Sequence, residues 1–192
     1  MLISIVGLSG SGKSFIAKKL QEYNEKIIHI DIDNIGHSSH QNPEVKEKLI
    51  NTFGEKVITN GQIDRKKLST IVLNSPEAMN ELEEITWSFM EEQLDNIIAH
   101  NKDKIIIFDW LLLPRTKYFF QSDIRILVTA PLEIRMQRAM SRDKITPEKF
   151  LERESAAPQL DESKFEYVIN NINLQETQER VNTIYDQSII HR

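Results

Sequence analysis

Residues 2–14 read LISIVGLSGSGKS. A short apolar run that stops at glycine predicts a buried strand over Leu2–Val6. Phe15, Ile16 and Leu20 then recur at near-helical spacing and predict a helix over Ser14–Tyr23. Between strand and helix, Gly7-Leu8-Ser9-Gly10-Ser11-Gly12-Lys13-Ser14 fits GxxxxGK[ST] at every fixed position, in the context that the motif requires. Its glycines let the backbone wrap closely, so that N–H groups turn inward toward phosphate oxygens. The helix N-terminus adds positive potential to that cradle. Ser9, Gly10, Ser11, Gly12, Lys13, Ser14 and Phe15 are therefore the expected nucleotide-binding residues. Lys13 is expected to reach the β- and γ-phosphates, and the Ser14 hydroxyl to ligate Mg²⁺.

Working outward, KIIHIDI (residues 26–32) reads as a second strand ending in Asp31 and Asp33. From Pro43 to about Asn101 the pattern is helical. PEVKEKLINTFG reads as a helix stopped by Gly54. TNG (59–61) reads as a turn, and the rest as two helices broken near Asn74-Ser75-Pro76. KIIIF (104–108) is continuously apolar, the pattern of a strand covered on both faces. DIRILVT (123–129) is another strand and PLEIRMQRAMSRD a helix. Thr146 and Pro147 form an N-cap and N1 pair for a helix over 146–154. YVI (167–169) is a last short strand, followed by a terminal amphipathic helix over 175–190. Alternating strands and helices imply an α/β chain: a parallel sheet in three α/β/α layers, with ligands at the carboxyl ends of the strands. The expected organisation is a single domain. Its core comprises residues 1–36, 102–136 and 165–192, its helical acceptor-binding insert 37–101 and its lid 137–164.

The bulk composition narrows the function classes. The chain has 192 residues, a net charge of -5 and no cysteine. The acidic balance argues against nucleic acid as a partner. Disulfides and thiolate metal sites are excluded. No apolar run approaches the ~20 residues of a membrane span. The start has no basic n-region and no small-residue cleavage site, so no signal peptide is expected. The expectation is a cytoplasmic protein, a monomer or weak homo-oligomer, with small-molecule partners only.

A phosphate loop does not name a reaction. Asn101-Lys102-Asp103-Lys104 departs from the guanine-reading N-K-x-D pattern, and no glycine-rich transporter signature follows, so a small-molecule kinase fits best. Alternation along a strand puts Asp31 and Asp33 on one side, with Ile32 opposite. Asp33 is the expected base for an acceptor hydroxyl, with Asp31 beside it in the substrate site. A plain helix-capping pair is the structural alternative. Asp109 follows the strand IIIF, the position of an acid that binds Mg²⁺ directly or through water, and it is also placed in the substrate site. Arg135, Arg138 and Arg142 recur at i,i+3 and i,i+4 on a helix, a face suited to a transferring phosphate. A solvated face balanced by Glu133 and Asp143 is the alternative. His37 and His40 read as loop residues, and Trp87, Phe89 and Met90 as core.

Together these stretches resemble the dephospho-CoA kinase family over almost the whole chain. The phosphate loop and IDIDNI match the family's loop and its D-A-D strand end. FGEKVITNGQIDRKKLSTIVLNSPEAMNELEEIT looks like its FG…DG-x-(L/I)-(D/N)-R segment. RILVTAPLEIRMQRAMSRDKIT is similar to its lid helix, and YVINN to its (Y/V)VI-x-N ending near the adenine of ATP. The resemblance implies a P-loop NTPase fold and transfer of phosphate from ATP, with Mg²⁺, to the ribose 3′-hydroxyl of dephospho-CoA. It implies Asp33 as base and Lys13, Arg138 and Arg142 as catalytic groups. The family's His-Pro is Trp87-Ser88 here, its D-(I/V)-P-L-L-(F/V)-E becomes Asp109-Trp110-Leu111-Leu112-Leu113-Pro114-Arg115, and a lid glutamine is Ala157. These departures gather on the acceptor and lid side. Two alternatives remain open at this level: a divergent kinase for a nucleoside, nucleotide or other small hydroxyl acceptor, and a non-catalytic nucleotide-binding module.

Overall fold

A computed structural model describes residues 1–190. In chain order the elements are β1 (Leu2–Val6), α1 (Lys13–Gln21), β2 (Ile27–Asp31), α2 (Ile32–Ser38), α3 (Pro43–Phe53), β3 (Ile58–Thr59), β4 (Gln62–Ile63), α4 (Arg65–Val72) and α5 (Pro76–His100). There follow β5 (Ile105–Asp109), α6 (Lys117–Gln121), β6 (Ile124–Thr129), α7 (Leu132–Asp143), α8 (Pro147–Ser155), β7 (Tyr167–Asn170) and α9 (Leu174–Ile184). The chain divides into two compact units, residues 1–31 with 101–192, and residues 32–100.

The first unit is a five-stranded sheet in the order β2-β5-β1-β6-β7. Every pairing in it is parallel. The strands are apolar on both faces because both are covered. On one face Ile3, Ile5, Ile107, Ile126, Val128 and Ile169 pack with Ile16, Ala17 and Leu20 of α1 and with Val181 and Ile184 of α9. On the other, Phe108 meets Tyr118 of α6 edge-on at 5.6 Å. Each such fully buried side chain contributes on the order of 1.5–3 kcal/mol. The arrangement is the three-layer α/β/α sheet that the alternation of strands and helices implies.

The second unit is built on Val45, Leu49 and Phe53 of α3, Val57, and Leu68 and Val72 of α4, all buried. Its helices begin where the sequence supplies caps. The Asn42 side chain accepts from the N–H groups of Glu44 and Val45 at 2.9 and 3.2 Å. Asp64 accepts from those of Lys66 and Lys67 at 3.0 and 3.2 Å. Gly54, at φ 77°, stops α3. Asn60 and Gly61 both have positive φ and turn the antiparallel pair β3–β4.

The second strand is shorter than its sequence suggests. β2 stops at Asp31, and Ile32 and Asp33 already belong to α2. Two-residue alternation therefore does not extend from Asp31 to Asp33, and the expectation that both carboxylates project from one strand face is corrected. IDI reads equally well as the end of a strand or the start of a helix, because an apolar residue between two acids satisfies either period. The terminal helix also ends early as a regular α-helix, and Tyr185–Ile189 form a π-helical turn.

Candidate active site

The phosphate loop lies between β1 and α1, where the sequence places it. Gly10 and Gly12 adopt φ values of 78° and 100°. Both are also approached from behind. A Cβ on Gly10 would lie 2.1 Å from the Arg135 carbonyl oxygen, and one on Gly12 2.1 Å from Asn171 Nδ2. Glycine is thus required twice over, by dihedral and by space. Asn171, buried just after β7, donates through Nδ2 to the Ser11 carbonyl at 2.8 Å. Its own Oδ1 accepts from Thr177 at 3.3 Å. Arg135 is also buried. It donates to the Ser9 carbonyl at 3.4 Å and to the Ala130 carbonyl at 3.1 Å. The loop is therefore clamped through the carbonyls of Ser9 and Ser11 and braced internally by the Ser11 N–H, which donates to the Leu8 carbonyl at 3.1 Å.

The concave side fits a polyphosphate. The α1 N-cap is Gly12, which offers no side-chain cap, and no acidic residue occupies the first turn. The N–H groups of Lys13 and Ser14 precede the first helical bonds, which run from Phe15 and Ile16 to the Gly12 carbonyl at 3.0 and 3.1 Å. Ser11 Oγ is buried and has no hydrogen-bond partner among the described residues. Beside the loop, a cavity of about 290 Å³ is lined by Gly12, Phe15, Arg138, Asn171, Ile172 and Leu174. A second cavity of about 490 Å³ reaches Leu8, Thr129, Arg135, Glu154 and Leu160.

Ser14 Oγ donates to Asp109 Oδ2 at 2.6 Å. The two lie far apart in sequence and meet because α1 covers the sheet face on which Asp109 ends β5. Asp109 is 2% exposed. It stands directly opposite Asp31 in the β2–β5 pairing. Among the described residues no group of three His, Cys, Asp or Glu side chains is arranged for a metal. A hydroxyl and one or two carboxylates, completed by phosphate oxygens, instead suit Mg²⁺, which keeps several waters and takes few protein ligands.

The remaining candidates fall as follows. Asp33 is exposed in the first turn of α2. Arg138 donates to the Asn171 carbonyl at 2.9 Å. Arg142 donates to Asp143 at 2.6 and 3.0 Å, and Arg153 to the same carboxylate at 3.0 Å. The Arg142 hydrogen bond, with the added charge of Arg153, holds the Asp143 carboxyl below its ordinary value. Arg135 shares the spacing of the other two arginines but not their surroundings. Its guanidinium is paired with Glu154 of α8 at 2.5 and 2.7 Å, which corrects the reading of one uniform arginine face.

The sequence reading missed three side chains of this site. Nothing local marks Glu154, because its partner lies on another helix. Asn171 sits inside YVINN, but no local pattern announces its bond to Ser11. Sequence pattern makes His29 a strand residue and no more, yet its Nε2 lies 3.2 Å from Asp109 Oδ2.

Comparisons with known proteins give these features a common origin. The family profile described as dephospho-CoA kinase matches residues 1–176. The chain is similar to a dephospho-CoA kinase of Fusobacterium nucleatum, 36% identical over 152 residues that make up 77% of this chain and 78% of that one. It is likewise similar to one of Aquifex aeolicus, 31% identical over 191 residues, 96% of each. A crystal structure from Thermus thermophilus superposes with a TM-score of 0.83 at 27% identity, covering 98% of this chain and 97% of that one. A shikimate kinase from Bacteroides thetaiotaomicron, 12% identical with a TM-score of 0.53 over 97% of each chain, shares the fold alone. The clamped phosphate loop, the serine–aspartate contact across the sheet and this pattern of similarity have one reading: the chain belongs to the dephospho-CoA kinase family.

Proposed function

We propose that this chain transfers the γ-phosphoryl group of ATP to the ribose 3′-hydroxyl of dephospho-CoA, giving coenzyme A and ADP. The observation that carries the reading is the Ser14–Asp109 bond within a complete phosphate-loop motif. It joins a helix start suited to phosphates with an acid suited to the accompanying cation. Ser14 and Asp109 would hold Mg²⁺, which when bound neutralises charge on the β- and γ-phosphates.

The polyphosphate is held along the loop from Ser9 to Ser14, and the nucleobase side lies against Phe15. Lys13 offsets charge on the γ-phosphate. The Asp33 carboxylate takes the proton of the acceptor hydroxyl as a bond forms from its oxygen to the γ-phosphorus. The bond from that phosphorus to the bridging oxygen breaks, and ADP leaves with the electron pair. Asp31 borders the acceptor, and Arg138 and Arg142 stabilise the equatorial oxygens in transit. Residues 37–101 form the acceptor-binding insert and 137–164 a lid that excludes water. The enzyme works in the cytoplasm as a monomer or weak homo-oligomer.

The test is coupled ADP release with ATP and Mg²⁺, comparing dephospho-CoA with a panel of nucleosides, nucleotides and small alcohols. Turnover with dephospho-CoA at about 1–100 per second, and none with the panel, is the expected result. Turnover with a panel member and none with dephospho-CoA would overturn it.

A further inference from the structure

We propose that His29 is a positioning residue for Asp109, fixing the carboxylate in the orientation that the metal requires. The inference rests on the reading of Ser14 and Asp109 as the Mg²⁺ site.

The geometry follows from the register of the sheet. His29 pairs with Ile107, and Asp31 with Asp109. Ile27 and Ile107 lie in the core beneath α1, so alternation puts His29, Asp31 and Asp109 on that same face. His29 and Asp109 are thus diagonal neighbours on adjacent strands, and the histidine ring is long enough to close the gap. Its side chain is 10% exposed and that of Asp109 2%. A carboxylate only accepts, so Nε2 carries the hydrogen and donates.

Two donors therefore converge on one oxygen. Ser14 Oγ reaches Asp109 Oδ2 from α1, and His29 Nε2 reaches it from β2. A carboxylate held by one hydrogen bond swings about it, whereas two donors from different elements fix its plane. Asp31, opposite in register, repels Asp109, and the pair from His29 opposes that displacement. Groups that orient a metal-binding side chain in this way typically govern about 10–100-fold in metal affinity.

The experiment compares His29→Gln with His29→Asn. Both substitutions are polar and neutral, but only the glutamine amide extends to the position of Nε2. Mn²⁺ is titrated by electron paramagnetic resonance into each protein with a non-hydrolysable ATP analogue, and the Mg²⁺ concentration for half-maximal turnover is measured alongside. His29→Asn is expected to weaken Mn²⁺ binding about tenfold, with the KM for dephospho-CoA unchanged. His29→Gln is expected to stay within about threefold of the unsubstituted protein, less than that range. Asn binding Mn²⁺ as the unsubstituted protein does, or Gln losing as much as Asn, overturns the proposal. If the unsubstituted protein adds nothing to the Mn²⁺ affinity of the free analogue, the metal site itself is overturned, and His29 with it. Neither result depends on the acceptor, so the identity of the phosphorylated alcohol stands or falls separately.

Discussion

At the scale of single residues, Asp33, the proposed acceptor base, is set apart from the other candidates by its surroundings. Lys13 and Ser14 begin a helix, and Asp109 closes a buried strand. Asp33 is exposed, in the first turn of α2. A carboxylate at an exposed helix start can be reached by an incoming alcohol, and geometry is the first requirement of a general base. Removing a general base slows proton transfer without touching nucleotide contacts. Asp33→Asn is therefore expected to lower kcat by about 10²–10⁴. Calorimetric titration with a non-hydrolysable ATP analogue should give unchanged affinity. Near-normal turnover in that variant would remove Asp33 from the mechanism.

Between elements, the arginine on α7 shows what local pattern conveys and what it does not. The phosphate loop was legible because one short motif carries both its backbone geometry and its chemistry. Strands such as IIIF and caps such as Thr146-Pro147 were legible for a related reason, since neighbours in sequence decide them. The Arg135–Glu154 pair was not legible, because it closes between two helices and only the fold brings its partners together. Nor was the end of β2, where one apolar residue between two acids fits both periods. The pair has a measurable cost. Arg135 and Glu154 are 8% and 22% exposed at the side chain, so deleting the acid strands a buried guanidinium. Glu154→Ala is expected to destabilise the protein by about 3 kcal/mol, at the low end for a broken buried pair because Glu154 retains some solvent. For a chain of this length that is a fall of roughly 6–12 °C in melting temperature by calorimetry. Replacing both partners, Arg135→Met with Glu154→Leu, should recover much of that loss, since apolar packing can replace a buried ion pair. A double variant as unstable as Glu154→Ala would show instead that the carbonyl bonds from Arg135 carry the stability.

On the scale of the whole molecule, acid couples these local pairs to global stability. The chain carries 29 acidic and 24 basic side chains besides five histidines, so titrating its carboxylates turns a modest negative charge into a large positive one. Specific losses add to that general repulsion. Asp143 is held below its ordinary value of 3.8, first by the Arg142 hydrogen bond and then by the charges of Arg142 and Arg153. A carboxyl depressed in the folded state contributes stability that is fully present above its unfolded value and disappears as pH falls through its folded one. The contribution of Asp143 is therefore whole at neutral pH, begins to fall at about pH 4 and is lost progressively below that. It is small, because Arg142 and Arg153 are 63% and 48% exposed at the side chain, and solvent screens such pairs to under about 1 kcal/mol. Asp143→Asn should lower the melting temperature at pH 7 by roughly 2–4 °C at most. The gap from the unsubstituted protein should narrow as pH falls from about 4 toward 3, as the Asp143 carboxyl takes up its proton. Melting curves of the two proteins across pH 3–7 read this directly. A gap that stayed constant with pH would assign the effect of Asp143 to its geometry at the end of α7 and not to its charge.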